Sequence, residues 1–212
     1  MTLYVKELWR YPVKSLAGER LAGAEITAGG VAGDRQVVIH NGHKLISART
    51  RPRLLGLRGA TGDDGSVLID GRPWDAPESV AAVRRAAGDE ARLARLTGPE
   101  RFDILPLLVA TDGAIAEFGQ DGRRLRPNIV VGGVAGLAER EWEGRRLRIG
   151  DLTVVLDSLR GRCIVTTYDP DSLEQDVGVL QDIRQRFDGS LALNADVDQA
   201  GVISIDDPVE LV

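Results

Sequence analysis

The apolar residues of this chain fall into many short segments separated by glycine-containing turns, and this pattern limits the fold more than any other feature. The chain has 212 residues, 25 of them glycine, and aromatic residues make up only 4%. Short Val-, Ile- and Leu-rich segments at regular spacing are typical of a barrel or a sandwich, not of a doubly wound sheet. Strands are predicted over Gln36–His40, Lys44–Ser47, Val67–Asp70, Ile129–Val131, Leu147–Ile149, Leu152–Leu156, Cys163–Thr167, Gly201–Ile205 and Val209–Val212.

Helical patterns are fewer. Apolar residues recur at helical spacing over 173–187, and Ser172 is predicted to begin that helix as part of a capping box. A second helix is predicted to begin after Thr111. The Ala- and Arg-rich segment Glu78–Leu96 is predicted to be mostly helical by propensity, with an interruption at Gly88. The expected protein is therefore mainly β with a few helices.

Charge and cysteine content exclude several classes of protein. Lys and Arg number 27 against 32 Asp and Glu, a net charge of −5, which argues against a nucleic-acid coat or a polybasic membrane surface. No apolar run approaches the length of a membrane span, and the N-terminus lacks the apolar stretch of a secretory signal. One cysteine cannot make an intrachain disulfide, a Cys-based zinc knuckle or an iron–sulfur cluster. We expect a cytoplasmic protein with neither a nucleic acid nor a membrane as its partner.

Four segments place a cation or a hydrogen-bonding group beside a turn. They are Tyr11–Ser15, Gly33–Arg35, Arg126–Asn128 and Arg160–Cys163. Each is weak alone, because an arginine beside a strand is usually solvated and a single intracellular cysteine is usually a small buried apolar residue. The two histidines, His40 and His43, flank a predicted hairpin turn and make a poor metal site.

Taken together, these segments resemble a known family. The motifs YPVKS, GDR, RPNIVV, WEGRRLRIGD and RCIVTTYDPD follow one another as they do in the MOSC family of molybdenum-cofactor proteins. The resemblance implies a small N-terminal β-barrel domain over 1–90, including a connector, packed on a MOSC β-barrel over 91–212. That second barrel is expected to be similar to the pyruvate-kinase type, and the cofactor is expected in the cleft between the two units.

The resemblance also implies which residues act. Cys163 is expected to ligate molybdenum and to be the catalytic residue, with the neighbouring cations favouring its thiolate. Many family members carry a further cysteine where this chain has Arg160, so a second thiol role is not expected. The pterin and its phosphate are expected to be held by Lys14, Ser15, Arg35, Thr111, Arg126, Asn128 and Arg162.

Three functions are compatible with this reading. The first is a molybdenum-cofactor-dependent oxidoreductase that reduces small N-hydroxylated or N-oxide substrates. Its electrons would come from a separate flavin, haem or iron–sulfur protein, because the chain has no dinucleotide-binding fingerprint. The second is a sulfur or cofactor carrier that uses a Cys163 persulfide. The third is a barrel that keeps the scaffold without the cofactor. The substrate, the donor, the oligomeric state and the choice between a sulfido and a dioxo metal stay open.

Overall fold

The computed structural model describes residues 2–212 and is mainly β, as predicted. Its strands in the first half of the chain are β1 (Leu3–Arg10), β2 (Glu19–Leu21), β3 (Gly23–Thr27), β4 (Gly30–Val31), β5 (Val37–His40), β6 (Leu45–Ile46), β7 (Gly59–Thr61), β8 (Val67–Ile69), β9 (Arg72–Pro73) and β10 (Arg92–Arg95). The later strands are β11 (Leu107–Thr111), β12 (Ile129–Gly132), β13 (Arg146–Ile149), β14 (Leu152–Gly161), β15 (Ser190–Gln199), β16 (Gly201–Ser204) and β17 (Pro208–Leu211). The α-helices are α1 (Pro77–Ala87), α2 (Asp112–Phe118) and α3 (Gly178–Arg186).

Seven strands close into a barrel in the order β12-β11-β15-β14-β13-β17-β1, and β1 returns to pair with β12. Neighbouring strands are antiparallel except β11 and β12, which run parallel. Alternate side chains of these strands face inward, and the interior is filled by small and branched apolar residues. Among them are Val5, Leu8, Val109, Ile129, Val131, Leu147, Ile149, Val154 and Leu193. The first strand of the chain thus belongs to the barrel that the second half builds.

A smaller unit, called here the N-terminal unit, is built from the sheets β5-β6-β10 and β7-β8-β9 together with α1. It has its own apolar core, which includes Val13, Val37, Ile39, Leu54, Val67, Ile69 and Val83. A third small sheet joins β3 and β4 to β16 near the end of the chain. The segment after β1 leads from the barrel into the N-terminal unit and carries the first of the predicted site residues. The domain boundary near residue 90 stays a prediction.

The strand predicted over Cys163–Thr167 is wrong. Residues Ile164–Thr167 form one turn of 3₁₀-helix, preceded by Cys163 in an extended conformation. The hydroxyl groups of Thr166 and Thr167 donate to the backbone carbonyls of Cys163 and Ile164 at 2.8 and 2.7 Å. Such local bonds let threonine-rich segments leave the sheet, in spite of their β propensity. Cys163 consequently lies at a strand end, where its side chain can reach a cleft.

Two helices begin or end differently from the prediction. The helix predicted from Ser172 begins only at Gly178, because Asp169 accepts bonds from the backbone of Asp171 and Ser172 and holds a turn there. The helix predicted over Glu78–Leu96 ends at Ala87. The last part of the predicted segment forms the strand β10 instead. The helix after Thr111 is confirmed. Over residues 2–212, no helix combines the length and the apolar character needed to cross a membrane.

Candidate functional site

A cleft lined by residues of both the N-terminal unit and the barrel brings most of the predicted site residues to one place. The predicted residues on its wall are Lys14, Ser15, Arg35, Arg126, Asn128, Arg162 and Cys163. They come from separate parts of the chain, so the fold and not local sequence assembles them. Of the predicted set, Thr111 alone lies elsewhere.

The cleft carries a strong positive charge. Six cationic side chains and one carboxylate line it, an excess of five positive charges in a chain whose net charge is −5. The cations are Lys14, Arg35, Arg49, Arg126, Arg160 and Arg162, and the carboxylate is that of Asp103. Like charges brought this close repel one another, so such a cleft favours an anionic ligand.

Lys14 and Ser15 lie in the loop that follows β1. The ammonium group of Lys14 donates to the backbone carbonyl of Arg101 at 2.7 Å and lies 2.8 Å from Oδ1 of Asp103. Burial lowers the pKa of Lys14, whereas the adjacent Asp103 acts in the opposite direction. Ser15 has a left-handed backbone (φ 76°), and its hydroxyl oxygen accepts from the backbone N–H of Ala48 at 3.0 Å. This loop is therefore held in one shape by contacts to distant segments.

The ring of Tyr11 lies against two guanidinium groups. The Arg126 guanidinium is 4.3 Å from the ring centroid and that of Arg35 is 5.4 Å away, both within the range of cation–π attraction. The Tyr11 hydroxyl donates to the backbone carbonyl of Pro127 at 3.1 Å, and burial raises the pKa of Tyr11 to about 12. The Arg126 guanidinium donates to the carbonyl of Leu16 at 2.7 Å, and burial lowers the pKa of Arg126. A neutral aromatic ring thus holds two cations close together.

A buried carboxylate connects the two units behind this ring. Asp34 pairs with the guanidinium of Arg35 and accepts from the backbone N–H of Tyr11 at 2.6 Å. It also accepts from the side-chain amide of Asn128 at 3.3 Å. The amide oxygen of Asn128 in turn accepts from the backbone N–H of Leu108 at 3.1 Å. Because both ends of the Asn128 amide are already bonded within the protein, Asn128 acts on the cleft through the residues that it positions.

Cys163 is partly exposed on the wall of the cleft, next to two arginines. Burial lowers the pKa of Arg162 to about 10, and the charge of Arg160 adds to this effect. Arg162 donates to the carbonyl of Leu125 at 2.7 Å, while its Nε atom is buried with no hydrogen-bond partner among residues 2–212. A soft sulfur atom and an unsatisfied cationic donor therefore lie on the same wall.

Thr111 is a correction to the predicted site. It is buried at the start of α2, where its hydroxyl accepts from the backbone N–H of Ala114 at 3.1 Å. The same hydroxyl donates to the carboxyl group of Glu139 at 3.1 Å, and burial raises the pKa of Glu139. Both contacts lie outside the cleft. Thr111 caps a helix and is not carried into the proposed cofactor-binding set.

Sequence reasoning missed three residues of the cleft. Asp103 bonds to Lys14, to Arg49 at 3.2 Å and to Arg160 at 3.1 Å. The other guanidinium nitrogen of Arg160 donates to the side-chain oxygen of Asn194 at 3.1 Å. No local pattern identifies Arg49, Asp103 or Asn194, because each is a single polar residue whose partners are distant in sequence.

Comparison with known proteins gives a consistent result. Residues 2–98 match the MOSC N-terminal beta barrel domain, and residues 112–210 match the MOSC domain. Human mitochondrial amidoxime-reducing component 1 is 25% identical over an alignment of 281 positions, gaps included, that covers 98% of this chain and 82% of that protein. Human mitochondrial amidoxime reducing component 2 is 28% identical, covering 79% of this chain and 67% of that protein.

Among solved structures, the YUAD protein from Bacillus subtilis is similar to this chain, with a TM-score of 0.51 and 14% identity. The comparison covers all of this chain and 96% of the other. At that identity it supports the fold alone.

Proposed function

This chain belongs to the MOSC family, and from that premise we propose that it is an oxidoreductase that binds a molybdenum–pterin cofactor in the cleft. The proposed substrates are small N-hydroxylated compounds or N-oxides. Its relatives are named for the reduction of amidoximes, which are N-hydroxylated compounds. The observation that carries the proposal is the cleft itself. It gathers Cys163 and an excess of five positive charges from distant parts of the chain.

The residues present fit such a cofactor. A pterin cofactor of this kind carries a phosphate, and charge-assisted bonds from Arg and Lys to phosphate are about twice as strong as neutral ones. Lys14, Arg35 and Arg126 supply these charges, and Ser15 adds a hydroxyl group. The unsatisfied Nε of Arg162 is a buried donor that a ligand acceptor would complete. When bound, the group supplies the two-electron redox chemistry that removal of an N-hydroxyl oxygen requires.

Cys163 is the proposed metal ligand. A thiolate is a soft ligand of the kind that molybdenum accepts, and the thiol must lose its proton to serve. The guanidinium groups of Arg160 and Arg162 stabilise that negative charge. Cys163 lies between the end of β14 and the 3₁₀ turn, so the bond from the backbone N–H of Arg162 to Gly189 holds the chain on one side and the bond from Thr166 holds it on the other.

The other site residues orient the group. Arg35 and Arg126 both lie against the Tyr11 ring, and their planar guanidinium groups suit bidentate contacts with phosphate oxygens. Asp34 pairs with Arg35 and accepts from the side-chain amide of Asn128, whereas Arg126 is held by the backbone carbonyl of Leu16. Electrons are proposed to come from a separate protein that holds a flavin, a haem or an iron–sulfur centre. A cytoplasmic location is proposed with it, since a reducing compartment keeps the exposed thiol of Cys163 intact.

The test is metal analysis of protein made in a host supplied with molybdate. Wild type is expected to contain about one molybdenum and one pterin per chain, and Cys163→Ser to lose most of the metal without losing the fold. Arg148→Ala, an exposed arginine on the outer face of the barrel, is the control and should match wild type. The same samples, supplied with a chemical reductant, should convert benzamidoxime to benzamidine only where molybdenum is present. Wild type without molybdenum, or full reductase activity in Cys163→Ser, would overturn the proposal.

A carrier function is the second candidate, and it is favoured by the partial exposure of Cys163 beside two cations. An accessible thiol of this kind can take the outer sulfur of a donor persulfide and become a persulfide itself, while the donor leaves as a thiol. Intact-mass measurement separates the two proposals. Protein with one added sulfur on Cys163 and no molybdenum supports the carrier, whereas stoichiometric molybdenum with a pterin supports the enzyme.

A further inference from the structure

The carboxylate of Asp103 sits at the centre of three cations of the cleft. Its Oδ1 lies 2.8 Å from the ammonium group of Lys14, and its Oδ2 lies 3.2 Å from Arg49 and 3.1 Å from Arg160. These cations come from the loop after β1, the segment after β6 and the end of β14. Three positive side chains from separate segments meet around one small anionic group, which is the arrangement that an oxyanion ligand also requires.

The acid is more accessible than two of its three partners. The side chain of Asp103 is 43% exposed, whereas those of Lys14 and Arg160 are only 10% and 15% exposed. Lys14 and Arg160 thus form the wall, whereas Asp103 and Arg49 are more exposed to the solvent. If Asp103 turned outward, water would solvate it, and the buried cations would need another anion in its place.

Two of the cations keep partners when Asp103 is taken away. Lys14 also donates to the carbonyl of Arg101, and Arg160 also donates to Asn194. These bonds hold both side chains in position independently of Asp103. The segment that carries Asp103 is held more weakly. Between Arg101 and β11 the chain forms bends, and within residues 2–212 no backbone N–H of 103–105 donates to another backbone group.

Asp103 is also an anion at neutral pH. Burial acts to raise the pKa of Asp103. The hydrogen bond from Lys14 and the charges of Lys14, Arg49 and Arg160 outweigh it and bring that pKa to about 2. Exchange at this position must therefore be a competition between anions and not a protonation.

We propose that Asp103 is a displaceable counter-ion, and that a phosphate-class oxyanion binds to Lys14, Arg49 and Arg160 by taking its place. The inference rests on the proposed function in one respect, since the phosphate of the cofactor would be one such ligand. It needs neither the metal nor the pterin. It adds Arg49 and Arg160 to the anion-binding residues. Asp103, in contrast, competes with the anion for these cations.

The experiment measures inorganic phosphate binding to the full chain by calorimetry, for wild type, Asp103→Asn and Asp198→Asn. Asp198 is an exposed acid on the barrel paired with Arg146, and its variant is the control. Asp103→Asn should bind phosphate about tenfold tighter or more, because the competing charge is gone, and Asp198→Asn should match wild type. Arg160→Gln should weaken binding. Equal or weaker binding by Asp103→Asn would overturn the proposal.

A second measurement separates displacement from a simple charge effect. Phosphate added to wild type should accelerate hydrogen–deuterium exchange over 102–106, because the carboxylate releases the segment from the cations. Slower or unchanged exchange there contradicts displacement. Both measurements use protein without molybdenum, so their result does not depend on the proposed redox function. Failure of phosphate to displace Asp103 would likewise leave the redox function untouched.

Discussion

The side-chain amide of Asn128 donates to the buried carboxylate of Asp34 at 3.3 Å, and this bond joins the start of a barrel strand to the loop that carries Arg35. The two residues are 94 positions apart in the chain. Asp34 also pairs with Arg35 and accepts from the backbone N–H of Tyr11, the residue whose ring lies against both Arg35 and Arg126. The shape of the cleft therefore depends on a contact that no ligand would touch.

Removing that carboxylate should destabilise the protein. Asp34→Asn leaves the guanidinium of Arg35 without its charged partner and weakens the bond to Tyr11, at an expected cost of about 3 kcal/mol in the free energy of unfolding. Urea denaturation followed by circular dichroism measures it. The exposed control Asp198→Asn should change stability by no more than about 0.5 kcal/mol. A loss as small as that in Asp34→Asn would show that the connection is not needed.

Substitutions of Tyr11 should separate its hydroxyl from its ring. Tyr11→Phe keeps the contacts to Arg35 and Arg126 and loses the bond to Pro127, with an expected cost of about 1 kcal/mol. Tyr11→Leu also removes the two cation–π contacts that hold Arg35 and Arg126 in position, each worth about 1 kcal/mol. Phosphate affinity should fall in Tyr11→Leu but not in Tyr11→Phe. Equal phosphate affinities in the two variants would show that the Tyr11 ring does not contribute to anion binding.

Asp103 should give a distinct acid dependence of stability. Its pKa is about 2 in the folded protein and higher in the unfolded chain, so its contribution is present above about pH 4 and is lost as pH falls toward 2. Because Asp103 is partly exposed, solvent screening limits this contribution to about 1 kcal/mol. Wild type should exceed Asp103→Asn in unfolding free energy at pH 6, and the difference should vanish near pH 2. A difference that grows on acidification would contradict the assignment.

Thr111 should matter for stability and not for the cofactor. Thr111→Ala removes the cap of α2 and a bond to Glu139, at an expected cost of about 1 to 2 kcal/mol in the free energy of unfolding. Its molybdenum content, measured on folded protein, should equal that of wild type. Thr111→Ser keeps both bonds and serves as the control. Loss of molybdenum from stable Thr111→Ala would return this residue to the cofactor-binding set.

Eight of the seventeen strands within residues 2–212 could be predicted from sequence, because each of these eight is rich in β-branched residues or leucine and is bounded by turn residues. The prediction fails where side chains bond to their own backbone. Thr166 and Thr167 turn a β-rich segment into a 3₁₀ turn, and the Asp169 carboxylate holds a turn inside an apolar stripe. These bonds compete with sheet and helix locally, and residue periodicity does not report them.

Some residues of the cleft could likewise be predicted from sequence, and others could not. Residues within compact motifs, such as Lys14, Arg126 and Cys163, could be identified because neighbouring letters carry the resemblance. Arg49 and Asp103 could not, because their significance lies in distances across the fold. The role of Asn128 was also hidden, since an amide looks the same in sequence whether it faces a ligand or is bonded within the protein.

The pairing of β1 with β12 and β17 has a consequence for how the protein folds. Early in synthesis β1 has only β2 beside it, and both of its barrel neighbours emerge much later. Closure of the barrel is therefore among the last events of folding, and non-local pairings of this kind are slow to form. Until then the apolar face of β1 is exposed, which makes the nascent chain a natural client for chaperones.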